Sequence, residues 1–484
     1  MTLVDPRRRW LALTLVCAGA LMIVLDQTIV NVALPAIQRD LGFTQDSLAW
    51  VVNAYMLTFG GFLLLTGRAA DLLGRRGVLV AGLIIFTIAS LACGLAGSQA
   101  VLVVARAIQG IGGAAVQAVS LSIIVTLFPE PQERAKAMGV WTFVAAGGGT
   151  IGVLLGGILT QVLSWHWIFL INVPVGAAAV ALARPLLPAA PGLGLEKGVD
   201  VGGALAVTAA PVLAVYAIVQ TNQFGWTSVR TLGMLTLAAA VALLFLAIER
   251  HVPAPLVPLR IFRSRTVAAS NGVIALFVAS FFGWFFFAPL YMQRILNFTS
   301  FQTGASFLPV SLTIGLLSIG VAARIIGRFG PRLPLIIGTA LSAAGFLLFA
   351  RAPLDGSFVA DVLPPMLFLG FGAGISFMPV VLIAVGDSDP ADSGLVSGLL
   401  STSQMIGGSV GLAILASLAV ARTAALAGGD SPGLDALNGG YHAVFLAAAA
   451  MSCAASLMTG FLLRDPESPA GAAEEQLVAL AECA

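Results

Sequence analysis

Apolar residues run along this chain in long blocks, interrupted only briefly by polar residues, and no strand-like alternation is sustained. A helix rises about 1.5 Å per residue, so about 20 apolar residues cross a hydrocarbon core of about 30 Å. On that measure the pattern predicts spans at roughly 10–34, 48–66, 78–97, 100–127, 137–162 and 166–187. Two more follow near 201–220 and 230–249, then six near 266–292, 304–326, 333–350, 361–385, 394–420 and 441–463. The expected fold is therefore all-α, with 14 transmembrane helices and both termini on one side of the bilayer.

Composition sharpens this picture. Of 484 residues 59% are hydrophobic and 10% charged, with a net charge of +2. That excludes a soluble enzyme, a disulfide scaffold, a disordered tail and a nucleic-acid binder. Basic residues resist translocation, and their placement tests the span count. With the N-terminus cytosolic, 18 of the 24 Lys and Arg fall in cytosolic segments and 5 in the opposite loops. Arg7, Arg8 and Arg9 precede an apolar run too long for a signal-peptide core, so the first helix is expected to be retained. The localisation expected is the bacterial inner (cell) membrane, multi-pass, with cytosolic termini.

Internal echoes suggest a repeat. Gly67-Arg68-Ala69-Ala70-Asp71-Leu72-Leu73-Gly74-Arg75-Arg76 joins the second and third spans, and Gly327-Arg328-Phe329-Gly330-Pro331-Arg332 joins the tenth and eleventh. The fifth span is glycine-rich from Gly147 to Gly157, the thirteenth from Gly407 to Gly411. Close helix packing alone would account for any one of these glycines. Their grouping at matching positions points to a six-two-six plan: 1–190 as one half, 191–262 as two inserted helices with linkers, 263–464 as the second half, and 465–484 as an acidic cytosolic tail around Glu474 and Glu475. Such repeats frame secondary transporters, with the substrate site between halves at mid-membrane.

Only two charges, Asp26 and Arg106, lie well inside spans. Intramembrane charges are costly and mark pathways or proton relays by default. Both fall in the outer half of the core, so they can share a depth. Desolvation favours the protonated acid and a nearby guanidinium favours the carboxylate. A helix movement that changes their separation would then change proton affinity; the alternative is a static structural ion pair. Cys17, Cys93, Cys453 and Cys483 and the histidines His166, His251 and His442 have no metal-ligand spacing. No phosphate-binding Gly-x-x-x-x-Gly-Lys-[Ser/Thr] surrounds Lys136 or Lys197. Neither an enzyme nor a self-contained ATPase is expected, and no cofactor beyond the proton as coupling ion.

These motifs resemble the major facilitator superfamily, and within it the 14-helix drug:proton antiporters of EmrB/QacA type. Leu25-Asp26-Gln27-Thr28-Ile29-Val30-Asn31-Val32-Ala33-Leu34-Pro35 is similar to that group's first-helix motif, and the resemblance implies proton coupling at Asp26. Gly67, Asp71, Gly74, Arg75 and Arg76 match the superfamily's cytosolic gating motif, with departures at Ala69 and Leu72. Arg106-Ala107-Ile108-Gln109-Gly110 resembles the fourth-helix motif whose Arg is associated with proton transfer. Trp165-His166-Trp167-Ile168-Phe169-Leu170-Ile171-Asn172-Val173-Pro174 resembles a further signature of the group, with His166 replacing Arg. The fifth-helix antiporter motif keeps Gly152, Gly156 and Gly157 but has Val153 where the family has proline. The implied function is proton-coupled export of amphipathic drugs by alternating access. An importer or uniporter of a small metabolite on the same fold is the alternative.

The cargo is bounded by charge. A dication would ideally meet two buried acids and only Asp26 is available, so a neutral, zwitterionic or singly charged amphipathic substrate is expected. Asn31, Asn53, Gln109, Trp284, Phe286 and Gln404 are the candidate cavity residues, the aromatics for their adaptable faces. The other partner is the lipid bilayer; nucleic acid is not one, and the chain is expected to act as a monomer.

Overall fold

The structure is a computed structural model describing residues 6–187, 192, 194, 200–252, 255–317, 321–388, 392–428 and 433–464; the acidic tail at 465–484 and Lys197 lie outside the described residues. Helices dominate because apolar blocks must satisfy every backbone group internally. In the first half these are α1 (Pro6–Leu41), α2 (Trp50–Leu73), α3 (Arg75–Gly94), α4 (Gln99–Leu127), α5 (Pro131–Val162) and α6 (Asn172–Leu186). Then come α7 (Val201–Phe224), α8 (Val229–His251) and α9 (Arg265–Arg294). The chain continues through α10 (Ser300–Ser306), α11 (Leu308–Leu316), α12 (Ala322–Phe329) and α13 (Arg332–Phe349). It ends with α14 (Leu363–Gly374), α15 (Phe377–Gly386), α16 (Ser393–Ala427) and α17 (Leu434–Leu462).

Among the described residues 12 helical stretches are long and apolar enough to cross a membrane. The other two expected spans, near 137–162 and 304–326, fall on α5 and on the α10–α12 stretch. At 137–162 lies the continuous helix α5, which carries no charged side chain over that stretch; Glu133, Arg134 and Lys136 precede it. At 304–326 the described part of the expected span runs through α10, α11 and α12, with 318–320 outside the described residues. One break falls at Phe307, where Pro309 opens α11 and cannot donate back into α10.

Helices α1–α6 pack into one bundle and α9–α17 into another. On one face the bundles touch. Gln161 accepts a hydrogen bond from Phe301 N–H at 3.0 Å, and Gln293 donates to Val32 O at 3.0 Å. A Cβ on Gly157 would lie 2.6 Å from Ser300 O, so α5 and α10 are in backbone contact there. On the opposite face, where the basic loops lie, a cavity of about 870 Å³ opens between the bundles. Its walls include Gly67, Arg68 and Asp71 of α2, Ser122 of α4, Leu256, and Ser401 of α16.

Helices α7 and α8 cover a seam. Gly61 of α2 sits against Thr208 of α7, and Thr221 of α7 shares a 2.8 Å hydrogen bond with Ser417 of α16. Helix α8 packs on α7 and leaves Leu237, Leu243 and Leu244 exposed, the surface of a lipid-facing helix.

Candidate functional site: a buried ion pair in the first bundle

Asp26 and Arg106 meet inside the α1–α6 bundle, both essentially inaccessible. Arg106 Nη1 donates to Asp26 Oδ2 at 2.5 Å and to Gln109 Oε1 at 2.7 Å. Its Nε donates to Val51 O at 2.9 Å. Gln109 Nε2 donates to Asp26 Oδ1 at 2.7 Å and to Ser90 Oγ at 2.8 Å. The guanidinium carbon lies 4.4 Å from the Tyr55 ring centroid and 5.7 Å from that of Phe169, a cation–π setting. Five segments thus enclose one charge pair: α1, α2, α3, α4 and the turn before α6.

The local sequence explains the convergence. Arg106 and Gln109 are three apart, so they share one face of α4. Gly110 and Gly113 on that helix let α2 approach: a Cβ on Gly110 would lie 2.4 Å from Tyr55 O. Helix α5 closes on α1 in the same manner. Cβ atoms on Gly152 and Gly156 would come within 2.1 Å of Thr28 Oγ1 and 2.7 Å of Ile29 O. Val153 is buried on the other side of α5, its carbonyl against Gly304 of α10, and Gly157 lies beside it on the same contact. Helix α5 therefore bridges the acid-bearing helix and the face where the two bundles touch.

The gating-loop residues stand at the open face. Gly74, at φ +97°, joins α2 to α3 in a conformation that favours glycine. Arg75 donates to Thr126 Oγ1 at 2.7 Å and Ser122 O at 3.3 Å, and Arg76 to Leu187 O at 3.3 Å. Both reach the C-terminal ends of neighbouring helices, where the helix dipole favours positive charge. Asp71 is exposed on the cavity wall beside Gly67.

The candidate cavity residues scatter. Gln109 is spent on the ion pair, since both ends of its amide are bonded within the bundle. Asn31 donates to Gln27 O of its own helix at 3.2 Å, and Asn53 accepts from Ser409 across the α2–α16 seam at 3.1 Å. Trp284 is buried among Phe281, Phe285, Phe307 and Phe349, and Phe286 packs on Phe287. Gln404 is half-buried on α16. None of these six lines the cavity at the open face. Aromatic bulk was the sequence signal for Trp284 and Phe286, and bulk serves a packed core equally well. Sequence reasoning missed Ser90 and Tyr55. Ser90 is one of two hydroxyls, with Thr87, in an apolar helix, and no local pattern separates it from a helix-packing serine.

Two helical bundles, closed on one face and open on the other around a sealed charge pair, define a polytopic membrane transport protein. The chain belongs to the Major Facilitator Superfamily, whose family model matches residues 16–412. It is 38% identical to the puromycin resistance protein pur8 of Streptomyces alboniger, over 87% of this chain and 84% of that protein. It is 35% identical to the cephamycin export protein CmcT of Amycolatopsis lactamdurans, over 84% of each. Among solved structures, the POT family transporter PepTSo superposes with a TM-score of 0.68 over 95% of this chain and 98% of that one; at 14% identity the likeness is one of fold.

Proposed function

We propose that this protein is a proton-coupled exporter of neutral, zwitterionic or singly charged amphipathic drugs, working by alternating access. The observation that carries the reading is the Asp26–Arg106 pair, sealed in an apolar bundle whose relatives are named for antibiotic resistance and export. The coupling ion is the proton, with no further cofactor. Asp26 and Arg106 couple it, the Gly67–Arg76 loop gates the cytosolic face, and the Gly152, Gly156 and Gly157 helix transmits the movement. The chain works as a monomer of 14 spans in the six-two-six plan, with α5 and the α10–α12 stretch as the remaining two. It lies in the bacterial inner membrane with both termini cytosolic, which makes the open cavity inward-facing.

The chemistry follows from the bond inventory. An ionised Asp26 accepts from Arg106 and Gln109, and both its oxygens are occupied. A proton on Asp26 removes the charge that holds Arg106 and turns one acceptor into a donor. Arg106 keeps Gln109 Oε1, Val51 O and the Tyr55 face, so it stays solvated by the bundle while α1 is released from α4. Movement of α1 carries α5 through the Gly152–Gly156 contact, and α5 bears on α10 at the closed face. Proton binding from outside and drug binding from inside thus favour opposite arrangements of the same contact.

The test is transport in proteoliposomes with an imposed pH gradient, against a panel of antibiotics and dyes. Drug movement opposite to protons is the expected result. Drug accumulation in the proton direction, or movement indifferent to the gradient, identifies the importer or uniporter instead.

A further inference from the structure

The two helices inserted between the bundles carry a pair of acids that the transport reading does not use. Asp200 caps α7, its Oδ1 accepting from Gly203 N–H at 2.7 Å. Glu249, in the last turn of α8, accepts from Val257 N–H through Oε2 at 3.1 Å. Each acid therefore has one oxygen engaged. The other two, Asp200 Oδ2 and Glu249 Oε1, are buried without a hydrogen-bond partner. The residues are 5% and 4% exposed.

The orphan oxygens face one point. A Cβ on Gly203 would lie 2.2 Å from Asp200 Oδ2 and 3.1 Å from Glu249 Oε1, so the missing side chain leaves both acids a common space. Among the described residues no ion pair joins either acid to a cation. Among the described residues of the surrounding elements, the charged groups lie at the surface, on the cavity wall or in another ion pair; Lys197 and Glu196 lie outside the described residues. Arg250 and His251 of α8 are exposed, Arg68 and Asp71 of α2 line the cavity, and Arg260 pairs with Asp392.

Two ionised carboxylates cannot share such a space at low dielectric without a neutralising group, and one proton suffices. We propose that Asp200 and Glu249 hold a single proton between them, forming a second protonation site that fastens the α8–α9 linker to the cavity wall. One carboxyl donates its O–H into the other carboxylate, which gives both orphan oxygens a partner. The engaged oxygen of Glu249 meanwhile holds Val257, whose neighbours Leu256 and Pro258 line the cavity. Loss of the proton to the cytosolic side leaves two buried negative charges and loosens the linker. The inference is independent of the role given to Asp26.

The test is infrared pH-difference spectroscopy of the full-length protein in lipid nanodiscs. E249Q keeps an acceptor for Val257 and D200N keeps the helix cap, so both variants remain foldable by design. The wild type is expected to show a protonated-carboxyl C=O band near neutral pH that each single variant loses, because either acid alone can ionise. D26N is expected to retain the band. A spectrum unchanged in both variants overturns the proposal. So does a wild type with no such band and carboxylate signals that shift on adding Na⁺ or Mg²⁺, which would make the occupant a metal cation. Should one variant fail to fold, the other reads the same shared proton.

Discussion

The two bundles share a scaffold and differ in chemistry. Gly74 joins α2 to α3 and Gly330 joins α12 to α13, both at positive φ. Eight residues on, Gly82 faces Gly112 O at 3.0 Å and Gly338 faces Gly372 O at 2.7 Å, so the same helix pair closes on the same contact. Gly110 rests on Tyr55 and Thr58, Gly370 on Val310 and Thr313. Arg332 reaches Gly460 O at a helix end, much as Arg76 reaches Leu187 O. In this register the residues of the ion-pair cage have plain counterparts. Ser90, eight beyond Gly82, corresponds to Phe346, eight beyond Gly338. Arg106 and Gln109, six and three before Gly112, correspond to Met366 and Leu369. Asp26, nine before Pro35, corresponds to Ser280, nine before Pro289, and Ser280 bonds Ser452 on α17.

Every charge of the first cage is thus absent from the second, where Phe281, Trp284, Phe346 and Phe349 fill the space. Backbone contacts made by small residues suffice for the bundle, whichever side chains occupy its centre. The charge pair is then not needed to build a bundle of this kind, and its retention in one bundle speaks for a task other than folding.

That contrast can be broken most directly at Asp26. Asp26→Asn should leave expression intact and abolish pH-driven transport in proteoliposomes; undiminished coupling would make the pair a structural relic. Arg106→Met, which writes the second bundle's residue into the first, should cost about 3–5 kcal/mol by leaving a buried carboxylate unpaired. Thermal unfolding in detergent measures it, and adding Asp26→Asn should recover most of the loss without restoring coupling. The shared scaffold predicts matched penalties. Gly156→Ala in α5 and Gly411→Ala in α16, where a Cβ would lie 2.7 Å from Ile29 O and 2.3 Å from Ala279 Cβ, should each destabilise by roughly 1–3 kcal/mol. A penalty in only one bundle would weaken the repeat. The smallest effect belongs to Ser90→Ala, about 0.5–1.5 kcal/mol for the lost hydrogen bond from Gln109, because the second bond, from Ser90 Oγ to Phe86 O, goes to a carbonyl that keeps its helical partner. A shift in the pH midpoint of transport should accompany it, since Gln109 loses the partner that orients it on Asp26.

Much of this was legible in the chain. Charge in a hydrocarbon environment is rare enough that Asp26 and Arg106 stood out unaided, and a shared depth followed from helix rise alone. The glycine runs announced close packing before any neighbour was known. Other features were not legible. Gln109 read as a cavity residue because a polar group in a span has many uses, and its geometry depends on α1 and α3 arriving beside α4. Trp284 and Phe286 read as cargo contacts, yet ring packing within the bundle takes both. The span at 304–326 read as uninterrupted, whereas a turn at Phe307, just before Pro309, separates α10 from α11. Asp200 and Glu249 lie 49 residues apart, at the start and the finish of a helical hairpin, so nothing local in the sequence joins them.

The sequence by itself determined that this is a helical membrane protein with a basic face and two intramembrane charges, because hydration energy dictates where charged and apolar residues reside. Tertiary structure alone decided which face is open and which polar groups meet. It also set which glycines bring backbones into contact. Those outcomes depend on packing between helices far apart in the chain, where ångström-scale fit, rather than transfer into the bilayer, sets the free energy.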